Sequence, residues 1–237
     1  MDISVSSYSN VGKRDNNEDA FSVRKRQNGI LAIVADGLGG HAKGEVASAL
    51  ATKALPKLLA GKVPDPETLS QAICQVNNMI LSAQGPEGPM KTTVAVVWIC
   101  KKVCLAANVG DSRIYQFRNG QIVYQSVDHS LAQASVLSGD SSITDLRKHP
   151  DQNKLTRALG NAAPPKVDVH TLSLESGDRF LLCSDGFWGP IYEEEMLNAM
   201  ADCRFPQPWL KKMKKRIIGA NHPHQDNHTA IALTVQK

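Results

Sequence analysis

Short apolar runs alternate with polar turns along most of this chain, and most of the runs have the length of a β-strand. The runs lie at residues 20–26, 30–35, 92–99, 103–108, 113–117, 122–125, 167–174, 179–183 and 229–235. Asn28-Gly29 and Asn119-Gly120 are favoured two-residue turns, so each predicts a hairpin between the runs that flank it. A Ser176-Gly177-Asp178 turn is expected to join two of the later strands.

Other segments have the spacing of helices. One apolar stripe consists of Val46, Leu50, Ala54 and Leu58. A second consists of Leu69, Ile73, Val76 and Ile80. Pro56 is expected to kink or end the first helix, and further helices are predicted near 193–200 and 209–218. Strands paired as hairpins, with helices between them, predict an α+β fold: a four-layer α-β-β-α sandwich of two packed antiparallel-rich β-sheets flanked by helices.

Neither a linker nor a repeat interrupts the pattern, so one domain over residues 1–237 is predicted. Residues 131–153 are polar and weakly patterned, which indicates a surface excursion with some helix, of the kind that forms lids and substrate rims. No apolar run approaches the roughly 20 residues of a membrane span, and the N-terminus lacks a signal-peptide pattern. The five cysteines lie mostly inside apolar runs, which predicts buried thiols in a reducing, cytoplasmic compartment rather than disulfides or a zinc site.

The formal net charge of +4 is local, because residues 211–216 alone supply five positive charges. A stripe of Trp209, Met213 and Ile217 on the same segment indicates an amphipathic helix that covers the core and exposes its cations. Docking of these cations to an acidic partner or an anionic membrane is the alternative. Nucleic-acid binding is not supported, because no aromatic residues are interleaved with the charges.

Five aspartates stand where strand-like runs begin or end. They are Asp19, Asp36, Asp111, Asp185 and Asp226. The first predicted hairpin brings Asp19 beside Asp36, and antiparallel neighbours place strand starts and ends on one edge of a sheet. Carboxylates on a rigid rim, without a nearby run of lysines, invite a hard divalent cation, and an all-oxygen set favours Mg²⁺ or Mn²⁺ over zinc. The pattern therefore predicts a metal-dependent phosphate-ester hydrolase.

The segment Ala35–His41 is the densest motif, and it has rival interpretations. It could be a glycine-rich turn with Asp36 as a simple cap. It also matches a dinucleotide-binding pattern, but Asp36 would then lie unneutralised near a pyrophosphate, and helix follows where that fold needs a second strand. A Walker-type phosphate loop lacks its Gly-Lys-Ser/Thr. A metal explains the residues better, because Asp36 can bridge two cations and an open glycine backbone can offer a carbonyl.

Eight motifs, in order, resemble those of the bacterial metal-dependent protein serine/threonine phosphatases, the PPM or type 2C family. They are Arg14-x-x-Asn17-Glu18-Asp19, Ala35-Asp36-Gly37-x-Gly39-Gly40-His41, Thr92-Thr93, Gly110-Asp111-Ser112-Arg113, Asp128-His129-Ser130, Leu155-Thr156-Arg157-Ala158-Leu159-Gly160, Ser184-Asp185-Gly186 and Asp226-Asn227-x-Thr229. The match runs from about Val5 to Val235. The chain departs from the family pattern at two positions: Lys91 replaces the usual glycine before the threonine pair, and Ser126 replaces the usual threonine before Asp128-His129-Ser130. Neither residue is a proposed metal ligand.

The resemblance implies a β-sandwich with a binuclear Mn²⁺/Mg²⁺ centre at one edge. It implies that Asp36 bridges both metals and that the Gly37 carbonyl binds one of them. Asp185 and Asp226 would hold the other metal, and Asp19 would serve directly or through water. Asp111 matches the residue that supports a third, weaker site.

The same resemblance assigns roles around the metals. Arg14 resembles the clamp for the substrate phosphate, although a charged surface loop is its plain alternative. His41 stands at the position of the candidate general acid, with a hydrogen-bonding role at a helix N-terminus as the alternative. Residues 131–153 correspond to the family's variable flap and are called the flap below.

The implied activity is hydrolysis of phosphoserine and phosphothreonine monoesters by in-line attack of a hydroxide that bridges the two ions. The expected partners are phosphorylated proteins, the substrates of a Ser/Thr kinase, and the protein is expected to be a monomer. No cysteine begins a Cys-x5-Arg pattern, which argues against a thiol-phosphate route. A catalytically silent phosphoprotein-binding relative and a nucleotide-dependent oxidoreductase remain as alternatives.

Overall fold

The computed structural model describes residues 2–26, 29–38, 43–86, 88–141, 143–220 and 222–236. Its strands are β1 (Ile3–Asn10), β2 (Asp19–Arg26), β3 (Gly29–Leu38), β4 (Lys91–Thr92), β5 (Val94–Cys100), β6 (Val103–Val109), β7 (Arg113–Arg118), β8 (Gln121–Gln125), β9 (Asp168–Leu172), β10 (Arg179–Cys183) and β11 (His228–Val235). Its helices are α1 (Gly44–Leu58), α2 (Pro66–Ala83), α3 (Leu131–Ser138), α4 (Asp185–Trp188), α5 (Glu193–Met200), α6 (Pro206–Gly219) and a 3₁₀ helix (Ile143–Lys148).

The strands form two sheets. One has the order β1-β11-β10-β7-β8, and the other has the order β2-β3-β5-β6-β9, with β4 paired to β3. Every pairing between named strands is antiparallel. The predicted fold class is confirmed.

The central strands are buried on both faces, which explains why they read as continuous apolar runs instead of alternating ones. In β3, Leu31 and Ile33 pack in a cluster with residues of α1 and α2. Ile30 and Ala32 belong to a second cluster that lies between the two sheets. A third cluster joins the other face of the β1-containing sheet to α4, α5 and α6. The layers therefore run α-β-β-α.

Helix α6 covers the core as its pattern predicts. Trp209, Met213 and Ile217 are buried, and the Trp209 ring meets Phe117 edge-on with 5.3 Å between centroids. The cations of residues 211–216 lie outside this buried stripe. None of the helices in the described ranges is both long and apolar enough to cross a bilayer.

The predicted stripe of α1 is only partly right. Ala54 is buried, and Leu50 and Leu58 are partly buried against the core, but Val46 is 39% exposed. The buried apolar members of the helix are Ala47, Ala51, Ala54 and Leu55. Pro56 lies in the last turn, and the helix ends two residues later at Leu58.

The predicted turn at Ser176-Gly177 is present on the connection between β9 and β10, although the two strands lie in different sheets. Helix α4 was not predicted, because four residues are too short to show a period. Asn119 and Gly120 have the positive φ values that their predicted hairpin turn requires, whereas Asn28 lies outside the described residues.

All five cysteines are free thiols. Cys104, Cys183 and Cys203 are buried, while Cys74 and Cys100 are partly exposed. The prediction of buried thiols therefore holds for three of the five.

Candidate metal centre

The pairing of β2 with β3 places the first two predicted ligands side by side. Asp19 lies directly opposite Asp36 in this register, as the hairpin spacing predicts. Both strands contribute a carboxylate at the same rim of the sheet. Asp36 is partly exposed, whereas Asp19 is 8% exposed.

The second sheet supplies the next two carboxylates. Asp185 begins α4 just after β10 ends, and Asp226 lies just before β11 begins. Since β10 and β11 are antiparallel neighbours, the end of one and the start of the other meet at one edge. Gly186 is required there, because a Cβ atom on it would lie 2.1 Å from the Asn227 carbonyl oxygen.

Asp111 reaches the same region from the connection between the sheets. It follows Gly110, which turns the chain from β6 in one sheet to β7 in the other. Gly110 has a φ of +101°, and a Cβ atom on it would meet the Thr93 side chain at 2.6 Å. A glycine is therefore needed to present Asp111.

A cavity of about 290 Å³ lies between these elements. Its lining consists of Arg14, Glu18, Asp36, Gly37, Leu38, Asp111, Asn153, Asp185, Asp226 and Asn227. Six of the eight predicted site residues thus line one cavity. Asp19 is buried outside this lining, and His41 lies outside the described residues.

Hydroxyl groups hold the backbone of Asp36. Its N–H donates to Thr93 Oγ1 (3.0 Å), and its carbonyl accepts from Thr92 Oγ1 (2.8 Å) and from the Thr93 N–H (2.8 Å). The Thr93 hydroxyl in turn lies 2.7 Å from Ser112 Oγ, beside Asp111. The threonine pair therefore fixes Asp36 without using its carboxylate.

One carboxylate oxygen of Asp19 accepts a hydrogen bond, and the other has no hydrogen-bond partner. Ser184 Oγ donates to Asp19 Oδ2 (2.7 Å), and the Thr229 N–H donates to Ser184 Oγ (3.0 Å). Asp19 Oδ1 is buried and has no hydrogen-bond partner. A buried carboxylate oxygen without a donor is costly unless something else compensates its charge, and a cation does so.

Arg14 binds Asp226 with both arms of its guanidinium. The Nε and Nη2 atoms donate to Oδ1 (2.9 Å) and Oδ2 (2.7 Å) of Asp226. The Asn227 N–H also donates to Asp226 Oδ1 (2.8 Å). The Arg14 side chain is 59% exposed, so this ion pair is worth no more than about 1 kcal/mol and opens readily.

The carboxyl groups of this cluster resist ionisation. Burial, opposed by the hydrogen bond from Ser184, raises the pKa of Asp19 from 3.8 to about 7. Burial is also the largest cause of the raised pKa values of Asp36, Asp111 and Asp185, and neighbouring carboxylates raise them further. Such a cluster gains from a divalent cation, which favours the ionised forms.

The donor set therefore fits a hard cation, although it is not already arranged around one. Within the ranges that the structure describes, no three His, Cys, Asp or Glu side chains form a ready metal-binding group. Arg14 holds both oxygens of Asp226. Metal binding by Asp226 requires this ion pair to open, and the unpaired Asp19 oxygen and the purely oxygen-based donors favour that change.

Several residues of the site had no role assigned from the sequence. Ser184, Thr93 and Asn227 stand within the predicted motifs, and each orients a neighbour of the cluster. The Asn227 side chain accepts from the Glu18 N–H (2.8 Å) and donates to the carbonyls of Val11 (2.8 Å) and Asn16 (2.9 Å). For Ser184 and Asn227, the signal that could have found them is their position next to an aspartate at a strand end.

Comparison with known proteins places the chain among phosphatases. The family model for protein phosphatase 2C matches residues 8–226. A serine/threonine phosphatase stp of Listeria welshimeri is 36% identical over 204 residues, covering 81% of this chain and 80% of the relative.

Solved structures agree over almost the whole chain. The PPM Ser-Thr phosphatase MsPP of Mycobacterium smegmatis, in complex with cacodylate, superposes with a TM-score of 0.84 at 32% identity and covers 98% of each chain. The catalytic domain of the serine threonine protein phosphatase PstP, in complex with 2 manganese ions, gives a TM-score of 0.82 at 28% identity and covers 99% of each chain.

Proposed function

Because this chain belongs to the protein phosphatase 2C family, we propose that it hydrolyses phosphoserine and phosphothreonine monoesters of proteins with the help of divalent cations. The observation that carries the proposal is the meeting of Asp36, Asp111, Asp185 and Asp226 on one cavity. They come from two sheets and are far apart in the sequence. A catalytically silent relative would need lost ligands, and these positions keep their carboxylates.

Two Mn²⁺ or Mg²⁺ ions are the proposed cofactors, with a third, weaker site. Asp36 and the Gly37 carbonyl would hold one ion, with Asp36 also contacting the second ion beside Asp185 and Asp226. Asp19 would act directly or through water, and Asp111 would serve the third site. When bound, such ions act as Lewis acids on water and on phosphoryl oxygens. The relative crystallised with 2 manganese ions supports this choice.

Arg14 is proposed to bind the substrate phosphate. Its fork-shaped guanidinium lines the cavity and donates two parallel hydrogen bonds to a carboxylate, a geometry that also suits two phosphate oxygens. If Arg14 bound the substrate phosphate in place of Asp226, the Asp226 carboxylate would be free to bind a cation. His41 remains the proposed proton donor to the departing seryl or threonyl oxygen, and it lies outside the described residues.

The proposed setting is reversal of Ser/Thr kinase signalling in the bacterial cytoplasm. Five free thiols support a reducing compartment. We further propose that residues 1–237 form a single phosphatase domain that acts as a monomer, with the flap as its variable part.

Hydrolysis of p-nitrophenyl phosphate tests the proposed function directly. Excess EDTA is expected to remove turnover, and Mn²⁺ or Mg²⁺ added in excess of the chelator is expected to restore it, because the proposed chemistry depends on a bound cation. A phosphothreonine peptide serves as the second substrate. Turnover that persists in EDTA, or none with either cation, would refute the proposal.

The Ser184→Ala variant tests how Asp19 is positioned. The change removes the 2.7 Å hydrogen bond to Asp19 Oδ2, and loss of such a supporting contact typically costs about 10-fold or more in metal affinity or activity. We expect a higher Mn²⁺ concentration for half-maximal activity and a smaller Mn²⁺-induced rise in unfolding temperature. Ser82→Ala, at an exposed position in α2, is the matched control. Unchanged Mn²⁺ dependence in Ser184→Ala would contradict this role.

A further inference from the structure

A second cavity, of about 350 Å³, opens beside the candidate metal centre. The two cavities share Asn153, Asp185 and Asp226 in their linings. A substrate whose phosphate lies at the first cavity therefore has the second one directly next to it. Successive residues of an extended chain advance by about 3.3–3.6 Å, so a side chain flanking the phosphorylated residue is within reach of the second cavity.

The second cavity has an apolar part and a polar part. Its apolar lining consists of Trp188, Pro190, Ile217 and Ala220. Its polar lining, beyond the shared residues, includes Gln152, Gln225, His222 and His224. Amides and imidazoles of this kind hydrogen-bond a peptide backbone, while the apolar part suits an apolar side chain.

The one arginine in this lining, Arg147 of the flap, is already engaged. Its Nη2 atom donates to Glu193 Oε1 (2.8 Å) and, at longer range, to the Ile191 carbonyl (3.3 Å). Its guanidinium also lies 5.4 Å from the Trp188 ring centroid and 4.7 Å from that of Tyr192. Glu193 compensates the charge of Arg147, so this wall offers no free cation to an acidic peptide residue.

A second part of the lining, around Gln225, is also anchored. Gln225 Nε2 donates to the carbonyl of Ile217 (3.2 Å), which ties the loop before β11 to helix α6. The Lys13 N–H donates to the Gln225 carbonyl (2.8 Å). The N-terminal segment approaches so closely at Gly12 that a Cβ atom there would lie 2.2 Å from the Asp226 carbonyl oxygen. Two parts of the lining are therefore anchored by contacts with neighbouring elements.

From these observations we propose that the second cavity, the flanking groove, binds the side chain next to the phosphorylated residue and selects an uncharged apolar one. This inference rests on the proposed phosphatase function. The apolar lining formed by Trp188, Pro190 and Ile217 favours an apolar neighbour, and Arg147, already paired with Glu193, gives no compensating contact to an acidic one. The chemistry recognised is an extended phosphopeptide with an apolar residue beside the phosphoserine or phosphothreonine.

The test uses phosphothreonine peptides that differ only at one flanking position. Leu, Ala, Lys and Asp are placed in turn before and after the phosphothreonine, and kcat/KM is measured with Mn²⁺. At one of the two positions, Leu is expected to exceed Asp by about 10-fold, the scale of discrimination by a small apolar pocket. Ala220→Trp places a large ring in the groove and is expected to reduce that ratio to about 2-fold or less. Ala83→Trp, at an exposed position at the end of α2, is expected to keep the wild-type ratio.

The ratio of kcat/KM between the Leu and Asp peptides tests the flanking groove separately from the phosphatase function. Hydrolysis of p-nitrophenyl phosphate by the unaltered protein reports on the phosphatase function alone. If that hydrolysis occurs but Leu and Asp peptides react alike at both positions, the flanking groove is overturned and the phosphatase function stands. A preference for Asp, or a Leu preference that survives Ala220→Trp, would also overturn it.

Discussion

Replacing Asp36 with alanine is expected to lower kcat/KM for p-nitrophenyl phosphate by at least about 10³-fold, the scale of several kcal/mol of metal-assisted stabilisation of the transition state. Asp36 is the carboxylate proposed to contact both cations, and it lies opposite Asp19 at the centre of the site. Steady-state kinetics across a range of Mn²⁺ concentrations measure the loss. Asp202→Ala is the matched control, since the Asp202 side chain is 90% exposed.

Protein stability distinguishes a lost ligand from a misfolded variant. The pKa of Asp36 is raised by burial and by Asp19, Asp185 and Asp111, so its ionised form is unfavourable in the metal-free fold. Its backbone contacts with Thr92 and Thr93 do not depend on the side chain. The metal-free Asp36→Ala protein is therefore expected to unfold at a temperature no lower than the unaltered chain, as is common for functional-site residues. Activity within 10-fold of the unaltered chain would contradict the role of Asp36.

The second large effect is expected from Gly186→Ala, a substitution that removes no ligand. The new Cβ atom would lie 2.1 Å from the Asn227 carbonyl oxygen and 3.0 Å from Asp226 Cβ, so the segments that carry Asp185 and Asp226 must move apart. A displacement of about 1 Å in such a site costs about 10²-fold in rate. We expect kcat/KM to fall by about that factor, and we expect half-maximal activity to require a higher Mn²⁺ concentration.

Gly219→Ala provides the comparison for Gly186→Ala. A Cβ atom on Gly219 would meet no atom within 4 Å, so this variant tests the effect of a glycine-to-alanine change without crowding. Its kinetics should match those of the unaltered chain. If Gly186→Ala were as active as Gly219→Ala, the close approach of the two ligand segments would not matter for activity.

The meeting of the aspartates at one sheet edge could be predicted from the sequence, because the register of paired strands follows from the number of residues between them. The spacing of the first hairpin predicts the Asp19–Asp36 pair, and the structure has that register. Antiparallel neighbours likewise bring together Asp185 and Asp226. Residue spacing does not predict contacts between the two sheets, such as the hydrogen bond from the Ser184 hydroxyl to Asp19. That contact depends on packing and not on spacing along the chain.

Helix packing and sheet membership were harder to predict for a related reason. The apolar stripe predicted for α1 includes Val46, yet the helix exposes Val46 and buries Ala47 and Ala51. The turn predicted between β9 and β10 is present, although the two strands belong to different sheets. Both features concern which layer a segment faces, and local pattern does not specify that.

The pairing of Asp19 with Asp36 limits how the length of this chain can vary. Side chains alternate between the faces of a strand, so one inserted or deleted residue within β2 or β3 turns every later side chain of that strand to the opposite face. The same event would carry one aspartate away from the other while exposing part of the buried run from Ile30 to Ala35. Viable insertions and deletions should therefore collect in surface segments such as the flap.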